Sequence, residues 1–192
     1  MQQISKSTDS FVRKFIINRI SGIPGGVSLV LTTLVSGLVV PEATPLSAPS
    51  SGKRTICKQA QVLTGSTTTV KKITTGTHHF KQGDFLCTKQ AGIAYAITSI
   101  TTSNGVDDVT VGTAIEATAA GDWVYEAAAQ SASNTSTFKN IPDAILETAF
   151  VVPTASSQVI WMAEGLLRAD VEEACIGPLY LALLPMIKEL KY

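Results

Sequence analysis

A short pattern that occurs twice constrains the fold of this 192-residue chain most strongly: Gly83-Asp84-Phe85-Leu86 and Gly121-Asp122-Trp123-Val124. Glycine tolerates positive φ and aspartate hydrogen-bonds nearby backbone, so each Gly-Asp pair predicts a tight turn. The aromatic and aliphatic residues that follow favour β-strands. We therefore expect the chain to turn and enter a strand twice in the same way.

Further short strands are predicted on both sides of these two copies. They are Val27–Val35, Leu38–Val40, Thr55–Leu63, Thr68–Ile73, Asp84–Thr88, Ile93–Ile100, Asp107–Val111 and Asp122–Ala127, and later Ala149–Val152, Val159–Ala163 and Leu166–Ala169. Ser103-Asn104-Gly105 predicts a hairpin turn, because Asn and Gly accept positive φ. Short strands separated by turn signals predict an all-β fold, either a small sandwich or a barrel.

The segment from Phe11 to Ile20 has apolar residues at helical spacing. Its apolar residues are Phe11, Val12, Phe15, Ile16 and Ile20, and Arg13, Lys14 and Asn18 fall opposite them. This period predicts a short basic amphipathic helix that is capped by Asp9 or Ser10 and ends near Gly22. Such a short helix is marginal in isolation, so we expect it to pack on the body or on a partner.

These patterns divide the chain into an N-terminal arm, residues 1–26, and a β-rich body, residues 27–192. Small and polar residues at 128–142 predict a surface loop within the body. Val171–Ala174 is predicted to form one helical turn. Because Pro178 and Pro185 interrupt the apolar tail Leu179–Leu190, we expect an edge strand or a segment between subunits there, and no long helix.

Charge is sparse and unevenly placed along the chain. Charged residues are 16% of the total and the formal net charge is zero. Residues 1–89 nevertheless carry eleven Lys/Arg and three Asp/Glu, and residues 90–192 carry four and twelve. The asymmetry either orients docking on an acidic surface or is cancelled by a fold that interleaves the two halves. No dense basic block with interleaved aromatic residues occurs, so we expect no nucleic-acid partner.

The strongest apolar run, residues 27–40, is shorter than the roughly 20 residues that a membrane-spanning helix needs. It contains polar residues, so a buried strand or strand pair is the favoured interpretation. A signal peptide is the competing one, since basic residues precede the run. The 26 residues before the run are too long for the charged n-region of an ordinary signal peptide, and Pro24-Gly25-Gly26 interrupts them. We expect no membrane association.

The residues that usually perform catalysis or bind metals do not form a recognisable motif. The three cysteines, Cys57, Cys87 and Cys175, are far apart in sequence, and His78 and His79 are adjacent, so on a strand they would point to opposite faces. Paired carboxylates at 107–108 and 172–173 are typical of solvated turns. We therefore expect no enzymatic activity, no metal and no other cofactor.

Three stretches together resemble a known family. They are Gly37-Leu38-Val39-Val40-Pro41-Glu42-Ala43-Thr44-Pro45-Leu46 with Lys58-Gln59-Ala60, then His79-Phe80-Lys81-Gln82-Gly83-Asp84-Phe85-Leu86, and then Ala94–Asp122. Their rhythm is similar to that of the head-fibre and capsid-decoration proteins of tailed bacteriophages, especially phages of Bacteroidetes. The resemblance covers roughly residues 27–170. One departure is Glu42-Ala43, where the family favours Ala or Glu followed by Gly.

The resemblance implies a virion structural protein that is made in the bacterial cytoplasm and sits on the capsid exterior. Its expected partners are the major capsid protein, further copies of itself in a homotrimer or other homo-oligomer, and in some cases a fibre protein. The residues expected to dock on the capsid come from the amphipathicity and charge of the arm: Phe11, Arg13, Lys14, Phe15, Ile16 and Arg19.

A carbohydrate-binding or adhesion module of a phage tail or cell surface is the alternative function. Sugar sites commonly present exposed aromatic side chains. Trp123 and Tyr125 lie two residues apart and so share one face of a predicted strand. They either form such an aromatic platform or pack in the core.

Overall fold

The computed structural model describes residues 15–76, 78–154, 160–173 and 175–190. The strands are β1 (Ile16–Gly22), β2 (Val27–Val30), β3 (Val39–Val40), β4 (Pro45–Ser47), β5 (Lys53–Arg54), β6 (Gln59–Gln61), β7 (Val70–Thr74), β8 (Phe85–Cys87), β9 (Ala94–Ser103), β10 (Val106–Val111), β11 (Trp123–Ala127), β12 (Pro142–Leu146), β13 (Phe150–Val151), β14 (Ile160–Ala163), β15 (Gly165–Glu172) and β16 (Ile187–Leu190). The helix is α1 (Pro178–Leu181). The predicted all-β fold class is confirmed.

Six of the strands form a sheet that closes on itself. Their order is β6-β11-β8-β9-β10-β7. The first and last strands meet where Val62 pairs with Ile73 and the Leu63 amide donates to the Lys72 carbonyl at 2.8 Å. Residues from all six strands or their ends fill the interior, including Val62, Ile73, Leu86, Ile97, Val109 and Val124. The sheet is therefore a small barrel with an apolar centre.

The two Gly-Asp copies are equivalent turns at neighbouring barrel strands. The carboxylate of Asp84 accepts from the Lys81 amide at 2.8 Å, and that of Asp122 accepts from the Ala119 amide at 2.7 Å. The preceding glycines have φ of +92° and +93°. The strands they introduce, β8 and β11, pair antiparallel. The repeated motif thus enters two adjacent antiparallel strands, and the predicted hairpin at residues 103–105 joins β9 to β10.

We predict that Gly83→Ala and Gly121→Ala each lower the free energy of unfolding by about 1–2 kcal/mol, because both positions need positive φ. A Cβ at either position would meet no atom within 4 Å, so backbone strain is the only cost. Gly22→Ala is the control: its φ is not positive and its nearest contact would be an ordinary 3.7 Å. Urea denaturation of the three variants tests this; equal stability of all three would contradict it.

The remaining strands build two further cores beside the barrel. A five-stranded sheet has the order β1-β15-β12-β4, with β16 parallel to β15. Two small sheets, β14-β2-β5 and β13-β3, lie around a second core that includes Leu29, Val40 and Leu146. A third core joins the five-stranded sheet to the outer wall of the barrel. There Tyr125 of β11 packs against Phe138 and Tyr180, with ring centroids 5.2 and 4.8 Å away.

The predicted helical arm is wrong where the structure describes it. Residues 11–14 lie outside the described residues, but Ile16–Gly22 forms strand β1, antiparallel to β15. The β-branched isoleucines at 16, 17 and 20 suit a strand, and β15 supplies backbone partners that no isolated helix would have. The apolar residues have helical spacing in a segment that forms a strand, and register shifts interrupt its pairing with β15.

The C-terminal expectations had mixed outcomes. The predicted helical turn at Val171–Ala174 is wrong for Val171 and Glu172, which continue β15. The tail contains only the four-residue helix α1 and then strand β16, which pairs with β15. Pro178 stands at the first position of α1, where proline is favoured, and Pro185 follows the short helix. Strand β16 takes the strand role expected for the tail.

Candidate docking surface and buried polar groups

The structure divides the predicted docking residues into three groups. Phe11, Arg13 and Lys14 lie outside the described residues. Phe15 and Ile16 pack on the third core, and Ile16 is only 9% exposed. The side chain of Arg19 is 58% exposed and pairs with Glu147 at 3.2 Å. Phe15 and Ile16 therefore stabilise the fold of the protein itself, while docking by the other residues stays a prediction.

Strand β1 presents apolar side chains to solvent at the end of its sheet. Among the described strands it pairs with β15 alone. Ile17 is 37% exposed and Ile20 is 52% exposed, with Arg19 between them. We call Ile17, Arg19 and Ile20 the β1 edge. An exposed edge strand with apolar side chains is suited to contact with another chain.

A cleft of about 440 Å³ lies between barrel residues such as Ile73 and Trp123 and the segments that contain Phe15 and strand β3. Its lining includes Phe15, Val39, Trp123 and Cys175, with the carboxylate of Glu42 at its wall. Glu42 Oε1 accepts a hydrogen bond from the Ile16 amide at 2.7 Å. The described chain therefore begins at the wall of this cleft.

The aromatic platform that was considered for Trp123 and Tyr125 is not formed. Tyr125 is 1% exposed, and its hydroxyl accepts from the Leu179 amide at 3.3 Å. Burial raises the pKa of Tyr125 to about 12. Trp123 is half-buried at the cleft. Both side chains pack on the third core, which is the alternative that their spacing left open.

A largely buried network of four charges lies at one end of the barrel, and its most exposed member is Lys139, whose side chain is 39% exposed. Lys58 Nζ lies 2.5 Å from Asp84 Oδ2 and 3.3 Å from Glu126 Oε1, and Lys139 Nζ lies 2.6 Å from the same Glu126 oxygen. The side chains of Lys58 and Glu126 are 1% and 2% exposed. Burial raises the pKa of Glu126, and Lys58 and Lys139 oppose the rise. Two cations and two anions balance, so the network satisfies charges that would otherwise be costly to bury.

The alternation of side chains between the two faces of a strand could have predicted this network. Asp84 lies two residues from Leu86, Lys58 two from Ala60 and Glu126 two from Val124, and these three apolar residues all face the barrel interior. Alternate residues of a strand share a face. We considered Asp84 only as a turn residue, and we did not expect the side chains of Lys58 and Glu126 to lie on the interior face of their strands.

The two histidines form hydrogen bonds with different segments of the chain. His78 accepts from the Phe80 amide at Nδ1, 3.0 Å, and its Nε2 lies 2.8 Å from Asp107 Oδ2. His79 accepts from the Val35 amide at Nδ1, 3.3 Å, and donates from Nε2 to the Val39 carbonyl at 2.8 Å. In both rings one nitrogen must accept, so both are neutral imidazoles. Burial lowers the pKa of His78 and lowers that of His79 to about 4.

Asp107, Lys71 and Cys87 are engaged in contacts within the fold. Asp107 also accepts from Thr75 and Thr102; burial alone would raise the pKa of Asp107, but these bonds and His78 hold it below its usual value. The buried Lys71 ammonium donates to the Thr67 and Glu116 carbonyls and to Thr118 Oγ1. Burial raises the pKa of the Cys87 thiol to about 12.

The described residues contain no group of three or more His, Cys, Asp or Glu side chains that could hold a metal ion. Within the same described ranges, no helix is long and apolar enough to cross a membrane. Comparisons of the chain with protein-family models, with curated proteins and with solved structures found no match.

The fold interleaves the basic and acidic halves of the chain. β1 from the first half pairs with β15 from the second, and β6 pairs with β11. The ion pairs Arg19–Glu147, Arg54–Asp143, Lys58–Glu126, Lys72–Asp108 and Lys89–Glu116 each join a cation of the first half to an anion of the second. The charge asymmetry therefore serves folding, which is one of the two outcomes considered from sequence.

Proposed function

We propose that this chain is a structural protein of a bacteriophage head that binds the outer surface of the capsid, either to decorate and stabilise the shell or to anchor head fibres. The observation that carries the proposal is an all-β body with an apolar edge strand, β1, that faces solvent. The resemblance of residues 27–170 to head-fibre and decoration proteins indicates the major capsid protein as the partner. A capsid is built from many identical subunits and therefore offers many equivalent binding sites. An oligomer of this chain could occupy several of them at once, which strengthens binding through individually weak contacts.

The β1 edge is the part of the predicted docking region that is available to a capsid. Ile17 and Ile20 supply apolar area, and Arg19 is available to acidic capsid groups if it exchanges its partner Glu147. Contact through a strand edge uses backbone hydrogen bonds as well as side chains. In this proposal Ile17 and Ile20 take the place of the expected apolar anchors Phe15 and Ile16, whose side chains pack in the third core.

Two aspartates in the β1 edge should strongly weaken binding to particles. We expect Ile17→Asp/Ile20→Asp to weaken cosedimentation with capsids about 100-fold, because charge replaces two apolar contacts worth roughly 1–2 kcal/mol each. Val151→Asp is the matched control, since Val151 is also an exposed strand residue, 56% exposed, but lies on β13.

Circular dichroism and thermal unfolding establish that each variant is folded. Equal binding by the double variant, the Val151 control and the unmodified protein would reject the β1 edge as the docking surface. Loss of binding in the Val151 control alone would move the surface to the β13 side.

A further inference from the structure

The five-stranded sheet has one face on the third core and one face towards solvent. Ala169 of β15 and Ile187 of β16 lie beside each other in register, and both side chains are buried in the third core. Successive side chains of a strand point to opposite faces, so the residues that flank these two lie on the other side of the sheet. We call this side the outer face and define it by Arg168, Asp170, Met186 and Lys188.

Exposed apolar side chains stand on both sides of Arg168. Met186 is 56% exposed and lies beside Arg168, because the next residues along the two parallel strands, Ile187 and Ala169, are paired. Leu167 directly precedes Arg168 and is 37% exposed. Neighbouring exposed apolar side chains next to charged ones are typical of surfaces that contact another protein.

The charge of the outer face changes sign along β15. Within the part of the chain that the structure describes, the side chains of Arg168 and Lys188 make no hydrogen bond or ion pair. Two residues after Arg168 comes Asp170, whose Oδ2 accepts from Asn18 Nδ2 at 2.9 Å. A carboxylate has acceptor sites for several donors, so this bond leaves room for a further one. The face therefore offers an open cation and, about 7 Å along the strand, an anion that can still accept.

A second copy of this chain carries the complementary pattern. Two outer faces can meet about a twofold axis that lies between them, at right angles to β15 and level with Ala169. The two β15 strands then run antiparallel, so that Arg168 of each copy lies opposite Asp170 of the other. Met186 of each copy meets the aliphatic part of the other copy's Lys188. A purely acidic surface would suit Arg168 and Lys188 but would repel Asp170, so the mixed signs favour a second copy.

We propose that this protein forms a twofold dimer through the outer face, in which Arg168 of each copy pairs with Asp170 of the other and Met186 supplies apolar contact. The face covers only part of one sheet, so the dimer is weak, with a dissociation constant in the micromolar range. The dimer is independent of the capsid proposal, because the association is measured without particles.

Charge reversal tests the pairing. Arg168→Asp and Asp170→Arg should each raise the dissociation constant about tenfold or more, because a twofold interface sets each substitution against a like charge twice. Sedimentation equilibrium of the full chain, over a concentration series that spans the micromolar range, measures it. Lys53→Asp is the matched control: Lys53 is also an exposed strand cation but lies on β5, and its reversal should leave the constant unchanged.

Circular dichroism establishes that each variant is folded. If Asp170→Arg does not fold, Asp170→Asn takes its place, because asparagine keeps an acceptor for Asn18 Nδ2 and removes the charge. This variant should also weaken the dimer.

Mixing the two reversed variants separates association from effects within one copy. In a heterodimer of Arg168→Asp with Asp170→Arg, opposite charges face each other again at both pairs. Native mass spectrometry of the equal mixture should therefore show a dimer with one copy of each variant, at concentrations where each variant alone is monomeric. A defect within one copy cannot be repaired by adding the other.

Three results overturn the inference. Unmodified protein that stays monomeric throughout the concentration series would show that there is no such dimer. A dimer whose dissociation constant neither reversal changes would show that the copies meet through another face. A mixture of the two folded variants that stays monomeric would show that Arg168 and Asp170 do not pair between copies.

Discussion

Lys58→Met is expected to lower the free energy of unfolding by about 3–5 kcal/mol, because removing one partner of a buried ion pair leaves uncompensated charge. Lys58 is 1% exposed and lies between Asp84 and Glu126 at one end of the barrel. Without its ammonium, two carboxylates share the single remaining cation of Lys139, which reaches Glu126 at 2.6 Å but Asp84 only at 4.0 Å. Chemical denaturation at neutral pH measures the loss.

Lys72→Met is the matched control for this prediction. Lys72 pairs with Asp108 at 2.6 Å, almost the distance of the Lys58–Asp84 pair, but the two side chains are 34% and 41% exposed. Exposed pairs contribute about 0–1 kcal/mol. Adding Glu126→Gln to Lys58→Met should restore part of the lost stability, because one cation then balances one anion. If Lys58→Met and Lys72→Met were equally stable, the buried network would not be a major source of stability.

The protein is expected to lose about 3 kcal/mol of stability through His79 alone as the pH falls from about 6.5 to about 4, at 1.36 kcal/mol per pKa unit. Burial lowers the pKa of His79 from 6.5 to about 4. The unfolded chain therefore binds a proton before the folded protein does, so this contribution is complete above the unfolded pKa and disappears towards the folded one. Protonation also places a second N–H opposite the Val35 amide, which donates to Nδ1.

His79→Gln isolates this contribution, since glutamine does not titrate. Urea denaturation from about pH 7.5 to about pH 4 should show a smaller loss in the variant than in the unmodified protein, whatever the variant's stability at neutral pH. The low pKa values of the other groups, such as Asp107, affect both proteins alike. Parallel stability curves for the two proteins would contradict the role given to His79.

Local turn chemistry made much of the barrel predictable. The glycines at 83, 105 and 121 all have positive φ, and the turns that they form define the ends of β8, β9, β10 and β11. These signals depend on residues close in sequence. Closure of the barrel does not, because β6 pairs with the distant strand β11, where Trp123 lies opposite Gln61, and β7 pairs with β10, where Asp108 lies opposite Lys72.

The N-terminal strand and the buried network were harder to predict, because both depend on contacts between residues that are far apart in sequence. The residues from Ile16 to Ile20 fit either a helix or a strand, and β15, about 150 residues later, decides between them. Lys58 acquires its partners from the turn at Asp84 and from β11. The cleft likewise exists only after distant segments pack together, so no local pattern indicated it.

The capsid role is tested most directly by the copy number of this chain in purified particles of the phage or cell that encodes it, measured by cosedimentation and quantitative peptide mass spectrometry. The account predicts stoichiometric recovery, with on the order of hundreds of copies per particle, as repeated docking on a shell requires. Absence of the chain from intact particles would contradict the structural role, and a dozen copies or fewer would place the protein at a tail or vertex instead of on the capsid surface.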